Sequence, residues 1–309
     1  MARRELVSAG LALGACATVV ALQTRQARRH NPPIGRFIQV NGVRLHYVER
    51  GSGPALVLLH GNGSLVQDFL TSDFVRLAAQ THRVIIFDRP GYGWSERPRS
   101  HLWTPAAQAD LLAAAAKRLG AVRPHLLGHS WGSLVAIEWA LNHRDDVAAL
   151  TLVSGYYFAT PRADVVLASG PAVPVVGDVL RFTALPLVGQ LLWPRILRKL
   201  FAPSAVPAHF DAVPRGLILS PLSLRASAEE SAFMLPTAAK LQARYAELTL
   251  PVAIVAGGGD RIVDPSRQSE RLHRAISGSR LSILPGVGHM LHHSEPRVLA
   301  EISRGIEPR

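Results

Sequence analysis

The chain has 309 residues, 48% of them hydrophobic, which is enough for one large domain with a substantial core. Lysine and arginine number 34 against 22 aspartates and glutamates, giving a formal net charge of +12 at pH 7. Part of this excess lies beside an apolar N-terminal segment and the rest is scattered, without a basic stripe or interleaved aromatic residues, which argues against a nucleic-acid-binding protein.

The apolar segment at residues 6–22 is the first predicted element. It carries no charged side chain and has arginines on both sides. Its length is just sufficient to cross a bilayer and exceeds that of most cleaved signal-peptide cores. Residues 1–24 are therefore predicted to be an uncleaved membrane anchor. Residues 13–16 and 15–17 also resemble signal-peptidase sites, so export after cleavage is the alternative, and the flanking arginines leave the orientation open.

A linker and a hairpin are predicted next. Residues 25–35 hold arginines, two prolines and a glycine, as is typical of a short polar linker. Asn41-Gly42 then separates two strand-like runs, at residues 36–40 and 43–49. Asn-Gly is a strong signal for a two-residue hairpin turn because both central positions need a positive φ. The folded domain is therefore expected to begin with an antiparallel hairpin.

Buried strands alternate with helices after the hairpin. Apolar strands are predicted at residues 55–60, 83–88, 125–130, 147–154, 251–256 and 280–284. Helices are predicted at residues 66–80, 105–119, 131–142, 265–276 and 295–306. Continuous apolar strands separated by helices form parallel sheets that are covered on both faces. The pattern therefore predicts an α/β fold.

The alternation breaks at residues 156–247. This stretch is rich in proline and contains helical fragments at residues 188–201 and 226–243, without a clear buried strand. We predict a helical lid here, inserted into one α/β core that consists of residues 36–155 and 248–309.

The pentapeptide Gly128-His129-Ser130-Trp131-Gly132 lies where a predicted strand gives way to a helix. Gly-x-Ser-x-Gly in this position is the pattern of a nucleophile elbow, a turn so sharp that side chains at the glycine positions would clash. A serine hydroxyl is a poor nucleophile by itself and needs a base and a group that orients the base. Ser130 is therefore the candidate nucleophile.

Asp260 and His289 are the candidate partners of Ser130, because they follow the last two predicted strands. The carboxyl ends of parallel strands converge on one crevice, and the order Ser, Asp, His is that of α/β-hydrolases. Asp264 is the alternative acid, one loop further on. His292 and His293 are interpreted as solvated or capping groups.

Five motifs in the same order, at residues 60–63, 87–95, 128–132, 260–264 and 288–290, resemble the α/β-hydrolase superfamily. The likeness spans roughly residues 36–306 and is to the branch with carboxylesterases, carbon–carbon bond hydrolases and cofactor-free haloperoxidases. It implies an eight-stranded, mostly parallel sheet with helices on both faces and a helical lid after strand six. It also implies an oxyanion hole made by the backbone N–H groups of Asn62 and Trp131. Residues 88–95, His60 and His129 are expected to brace the site.

Together these features predict a membrane-anchored serine hydrolase. Its substrates are expected to be carboxylic esters of small to medium apolar acyl compounds, because the lid is rich in apolar residues. Alternatives with the same triad are a carbon–carbon bond hydrolase and a perhydrolase or haloperoxidase, and an alternative of another class is a catalytically weak ligand-binding protein. No metal or organic cofactor is implied, and a single cysteine, Cys16, excludes an intrachain disulfide or a cysteine-based metal cluster. The sequence leaves the oligomeric state undetermined.

Overall fold

Eight strands form a single sheet in the computed structural model, which describes residues 2–306 apart from the side chains of residues 2–4, 6 and 9. In chain order the strands are β1 (Arg36–Val40), β2 (Val43–Arg50), β3 (Ala55–Leu59), β4 (Arg83–Phe87), β5 (His125–His129), β6 (Ala149–Val153), β7 (Val252–Gly257) and β8 (Arg280–Leu284). Their order across the sheet is β1-β2-β4-β3-β5-β6-β7-β8. Strand β2 is antiparallel to β1 and β4, and the other neighbouring pairs are parallel. The predicted α/β fold and its opening hairpin are confirmed.

Helices cover both faces of this sheet. In chain order, the helices of the chain are α1 (Ala2–His30), α2 (Val66–Leu70), α3 (Asp73–Ala78), α4 (Pro105–Arg118), α5 (Gly132–Asn142), α6 (Ala163–Ser169), α7 (Val176–Phe182), α8 (Ala184–Phe201), α9 (Arg215–Ile218), α10 (Pro221–Leu241), α11 (Ser269–Ala275), α12 (Leu291–Ser294) and α13 (Pro296–Gly305). On β4, Ile85 and Phe87 pack in the core with α4 and α5, whereas Val84 and Ile86 pack with α2, α3 and α13. Successive side chains of a strand point to opposite faces, so a strand buried on both faces has an unbroken apolar sequence.

The single helix predicted at residues 66–80 is two helices, α2 and α3. The hydroxyl of Thr71 donates to the carbonyl of Gln67 at 2.9 Å, and that of Ser72 donates to the carbonyl of Phe69 at 2.6 Å. Ser72 itself has extended backbone angles. Short polar side chains that bond to nearby carbonyls compete with a continuous helix, which accounts for the break.

The stretch predicted as a lid lies between β6 and β7 and contains α6, α7, α8, α9 and α10. Helix α10 contacts α5, α6, α7, α8 and α9, and so connects these helices to the core. Its N-terminus is capped by Ser220, which accepts a hydrogen bond from the backbone N–H of Ser223, and Pro221 occupies the first turn. The chain returns to the sheet at β7.

Helix α1 packs against α7, α8 and α9 of this stretch. Val20 is buried in the contact, and a Cβ on Gly216 would lie 2.6 Å from the Cβ of Ala27, so glycine permits the close approach. The side-chain amide of Gln190 donates to that of Gln23 at 2.8 Å. Residues 25–30, predicted as part of the linker, belong to this helix, and residues 31–35 connect it to β1.

The predicted membrane span at residues 6–22 is not supported. Among the described residues, no single helix combines the length and the apolar character that a membrane crossing needs. The segments Ala163–Ala172 and Val176–Phe182 have the required length and apolar character only when they are taken together, and they are bent by 92° relative to each other. The predicted segment includes Leu6 and Ala9, whose side chains lie outside the described part of the chain.

Candidate active site

Ser130 occupies a strained turn between β5 and α5. Its φ is 51°, in the left-handed region that a residue with a side chain seldom adopts. A Cβ at Gly128 would lie 2.7 Å from the carbonyl oxygen of Gly132, and a Cβ at Gly132 would lie 2.2 Å from the carbonyl oxygen of Leu59. The two glycines therefore allow the turn to close tightly and present the serine hydroxyl at the edge of the sheet.

His289 and Asp260 lie beside this hydroxyl in the order that the sequence predicts. The hydroxyl of Ser130 is 3.0 Å from Nε2 of His289, and Nδ1 of His289 is 2.8 Å from Oδ2 of Asp260. Because the carboxylate accepts the Nδ1 proton, the lone pair of the neutral imidazole faces Ser130. All three side chains come from loops that follow parallel strands β5, β7 and β8.

The carboxylate of Asp260 is held by four hydrogen-bond and charge interactions. Burial alone would raise the pKa of Asp260, but attraction to His289, the hydrogen bond from its ring and the backbone N–H groups of Val263 and Ile262 outweigh burial, so the pKa lies below its ordinary value. The group is therefore ionised and able to orient His289.

Asp264, the alternative acid, accepts hydrogen bonds from residues of its own turn. Its Oδ1 accepts the backbone N–H of Ser266 at 2.9 Å and the hydroxyl of the same residue at 2.7 Å. The side chain is about half exposed and also lies near Arg267. Asp260, rather than Asp264, is the carboxylate that contacts His289.

Asn62 and Trp131, predicted to form the oxyanion hole, line the same cavity as Ser130. Within residues 2–306, neither backbone N–H donates to a backbone carbonyl outside the regular helices and strands. The side chain of Asn62 is fixed by its donation to the carbonyl of Ser227 at 3.0 Å, and that of Trp131 by donation to the carbonyl of Glu230 at 3.0 Å. Both anchoring carbonyls belong to α10.

A buried ion pair that the sequence analysis missed connects α10 to the residues that follow β4. Arg89 and Glu230 form it with no exposed side-chain surface. Arg89 also donates to the carbonyls of His60 and Gly61, at 2.8 and 2.9 Å, so that it holds the loop that carries Asn62. No local signal marks Glu230, because a glutamate on a helix is usually solvated.

His292 and His293 were expected to be solvated or capping groups, and this prediction is wrong. Both are buried, and their Nε2 atoms lie 3.1 and 3.0 Å from Oδ1 of Asp68 on α2. Asp68 comes from a distant part of the chain, which is why spacing near His289 did not reveal it. His60 and His129, expected to brace the backbone, contact the carbonyls of Gly61 and His289 respectively.

A cavity of about 390 Å³ opens above Ser130 and His289. Most of the remaining wall is apolar and comes from the stretch between β6 and β7. These residues include Val165, Trp193, Ile196, Leu197, Leu200, Phe210, Val213, Ile218, Leu219, Leu224 and Met234. Arg162 also lines the cavity, and its guanidinium donates to Asp164 and to the carbonyl of Ile262. The space is therefore a mainly apolar pocket that contains the reacting groups.

Sequence comparison gives a match to the family model of the alpha/beta hydrolase fold over residues 54–296. An uncharacterized protein of Mycobacterium tuberculosis is 30% identical over 292 residues, which cover 90% of this chain and 82% of that protein. A pimeloyl-[acyl-carrier protein] methyl ester esterase of Neisseria meningitidis serogroup B is 32% identical over 258 residues, covering 80% of this chain and 92% of the esterase.

Among solved structures, a thermophilic esterase from Thermogutta terrifontis superposes with a TM-score of 0.73. The alignment covers 88% of this chain and 97% of the esterase, at 21% sequence identity. At 21% identity, this similarity shows that the two chains share a fold.

Proposed function

Because this chain belongs to the alpha/beta-hydrolase fold family, we propose that it is a serine esterase that cleaves carboxylic esters through an acyl-Ser130 intermediate. The observation that carries this proposal is the contact of 3.0 Å between Oγ of Ser130 and Nε2 of His289, with Asp260 on the opposite side of the imidazole. A nucleophile, a base and an orienting carboxylate in line are what acyl transfer by serine requires.

In the proposed reaction, Oγ of Ser130 adds to the ester carbonyl while Nε2 of His289 takes its proton. The carbonyl oxygen becomes negative and accepts hydrogen bonds from the backbone N–H groups of Asn62 and Trp131. His289 then gives the proton to the departing alcohol, and the acyl group stays on Ser130. Water, deprotonated by His289, adds to the acyl carbonyl, and collapse of this second intermediate returns the proton to Ser130 and releases the acid.

The apolar wall supports an ester with an apolar acyl group of small to medium size. A cavity of about 390 Å³ is at the lower end of the range for small-molecule pockets. The esterase of Neisseria meningitidis acts, by its name, on the methyl ester of pimeloyl-[acyl-carrier protein], which supports a carboxylic ester as the bond that is cleaved. The predicted membrane anchor at residues 1–24 is not supported, because no single described helix is long and apolar enough to span a membrane, and the location of the protein stays a prediction.

Hydrolysis of p-nitrophenyl esters of increasing acyl length tests the proposal. We expect the wild-type chain to be active, with a maximum at short to medium chains, and Ser130→Ala to lose activity by a factor on the order of 10⁶, as for other serine hydrolases without their nucleophile. Ser100→Ala, at an exposed position away from the cavity, is the matched control and should keep full activity. Wild-type cleavage of ring-fission diketones with no cleavage of esters would instead favour a carbon–carbon bond hydrolase.

A further inference from the structure

Asp68, His129 and His292 form a buried cluster next to the proposed triad. One potential ligand atom of each side chain lies within 4.8 Å of those of the other two. The three residues are 2%, 3% and 0% exposed. None of them takes part in the proton transfers proposed for ester cleavage.

Two imidazole nitrogens of the cluster carry lone pairs without a partner. Nε2 of His129 donates to the carbonyl oxygen of His289 at 3.1 Å, and Nε2 of His292 donates to Oδ1 of Asp68 at 3.1 Å. In a neutral imidazole this leaves the lone pair on Nδ1; an ion shared by His292 and Asp68 would take the place of the hydrogen bond between Nε2 and Oδ1, with the Nε2 proton moving to Nδ1 of His292. Across the described residues, both Nδ1 atoms are buried and have no hydrogen-bond partner. A buried polar atom without a partner is rare and calls for an explanation, of which a bound ion is one.

The ligand types of the cluster suit a divalent cation. The imidazoles of His129 and His292 are both buried, and their ring centroids lie 4.6 Å apart. The carboxylate of Asp68 supplies an oxygen ligand and lies within hydrogen-bond distance of His292 and His293.

Neighbouring side chains hold the carboxylate of the cluster in place, and the cluster borders the cavity. The hydroxyl of Ser64 donates to Oδ2 of Asp68 at 2.7 Å, and His293 contacts Oδ1. Such contacts orient the ligands in metal sites. Asp68 and His129 also line the cavity that contains Ser130, so an ion can enter from there and keep a coordination position open towards the cavity.

We propose that Asp68, His129 and His292 bind one Zn²⁺ ion or another divalent transition-metal ion of similar preference. Two imidazoles and one carboxylate match the ligands that Zn²⁺ takes in sites with an open fourth position. Magnesium is disfavoured because it prefers a shell of oxygen ligands. Since His129 also donates to the backbone of His289, the bound ion would hold the segment that carries the proposed base.

Calorimetric titration of the chelator-treated full chain with ZnCl₂ tests this site. We expect one ion per chain, no comparable binding of MgCl₂, and affinity weakened by about tenfold or more in Asp68→Asn and in His292→Gln. The matched control is His143→Gln, which removes a histidine from a partly exposed pair with Asp110 and should leave binding unchanged.

Wild-type protein without a stoichiometric Zn²⁺ site would overturn the proposal, as would equal affinity in folded Asp68→Asn and His292→Gln variants. Circular dichroism establishes whether the variants fold. If they do not, CoCl₂ titration of the wild-type chain decides, because Co²⁺ bound by nitrogen and oxygen ligands in a site of low coordination number gives an intense visible absorption band. A spectrum no different from that of hydrated Co²⁺ would contradict the site.

Discussion

At the scale of single residues, the proposed chemistry depends on one strained position. Ser130 has a φ of 51°, and glycines at residues 128 and 132 leave the space that the turn needs. The strain is maintained by the surrounding sheet, to which Ser130 is tied by a hydrogen bond from its N–H to the carbonyl of Val153 at 2.8 Å. Strain at this residue therefore fixes the direction of the hydroxyl before a substrate binds.

The contrast between Asp260 and Asp264 gives a prediction at this scale. Asp260→Asn keeps the size of the side chain but removes the charge that stabilises protonated His289, so we expect kcat for ester hydrolysis to fall by a factor on the order of 10⁴. Asp264→Asn should reduce it little, because that carboxylate accepts hydrogen bonds from its own turn. Steady-state kinetics on a p-nitrophenyl ester measures both, and the reverse ranking would identify Asp264 as the acid.

The residues of the proposed triad could be predicted from sequence, whereas their supporting partners could not. Ser130, Asp260 and His289 each follow a predicted strand, and parallel strands bring such positions together. Asp68 contacts histidines that follow it by 224 and 225 residues, and Glu230 contacts an arginine 141 residues before it. Nothing in the local pattern around Asp68 or Glu230 distinguishes a buried carboxylate from a solvated one.

At the scale of elements, α10 connects the stretch between β6 and β7 to the core through buried polar contacts. Glu230 binds Arg89, and it also accepts hydrogen bonds from Gln108 and from the hydroxyl of Tyr92. The carbonyls of Ser227 and Glu230 hold the side chains of Asn62 and Trp131. This helix is therefore expected to fix the oxyanion hole as well as to cover the pocket.

Removing one side of the buried ion pair tests this connection. Glu230→Ala leaves the guanidinium of Arg89 buried without its carboxylate, and we expect the free energy of unfolding to fall by about 3–5 kcal/mol. The matched control is Glu270→Ala, whose ion pair with Arg274 lies at the surface at 3.8 Å and should contribute little. Urea denaturation measures both variants, and equal effects would show that the buried pair does not hold α10 to the core.

Predictions from sequence patterns were least accurate for the boundaries of helices and strands and for packing between distant parts of the chain. Hairpin and strand positions were predicted well, because Asn41-Gly42 and unbroken apolar runs have few other structural interpretations. Helix α1 was interpreted as an anchor and a linker on composition alone, yet it continues to His30 and buries Val20. Burial against α7, α8 and α9 depends on tertiary contacts that composition does not encode.

At the scale of the whole molecule, several buried imidazoles couple folding to pH. Burial lowers the pKa of His60, His129 and His292 from an ordinary value of 6.5. Below that pH the unfolded chain binds protons at these positions while the folded chain does not, so stability falls as the pH falls. The pKa values of Asp68 and Asp260 are also lowered, and protonation of these carboxylates lowers the stability only near and below their ordinary pKa of 3.8.

We therefore expect the free energy of unfolding to decrease between about pH 7 and pH 5. The slope is about 1.4 kcal/mol per pH unit for each proton that only the unfolded chain binds. Urea denaturation at several pH values in this window measures the slope, with circular dichroism to confirm a folded baseline. A free energy that is constant or that increases on acidification would contradict the burial of neutral imidazoles.

Covalent labelling with a fluorophosphonate tests the central claim most directly, because the reagent requires an activated serine and an oxyanion hole but no knowledge of the substrate. We predict one adduct per chain, on the peptide that contains Ser130, together with loss of ester hydrolysis and no adduct in Ser130→Ala. A folded wild-type chain that gains no adduct, or that gains it at another serine while Ser130 stays unmodified, would contradict the account.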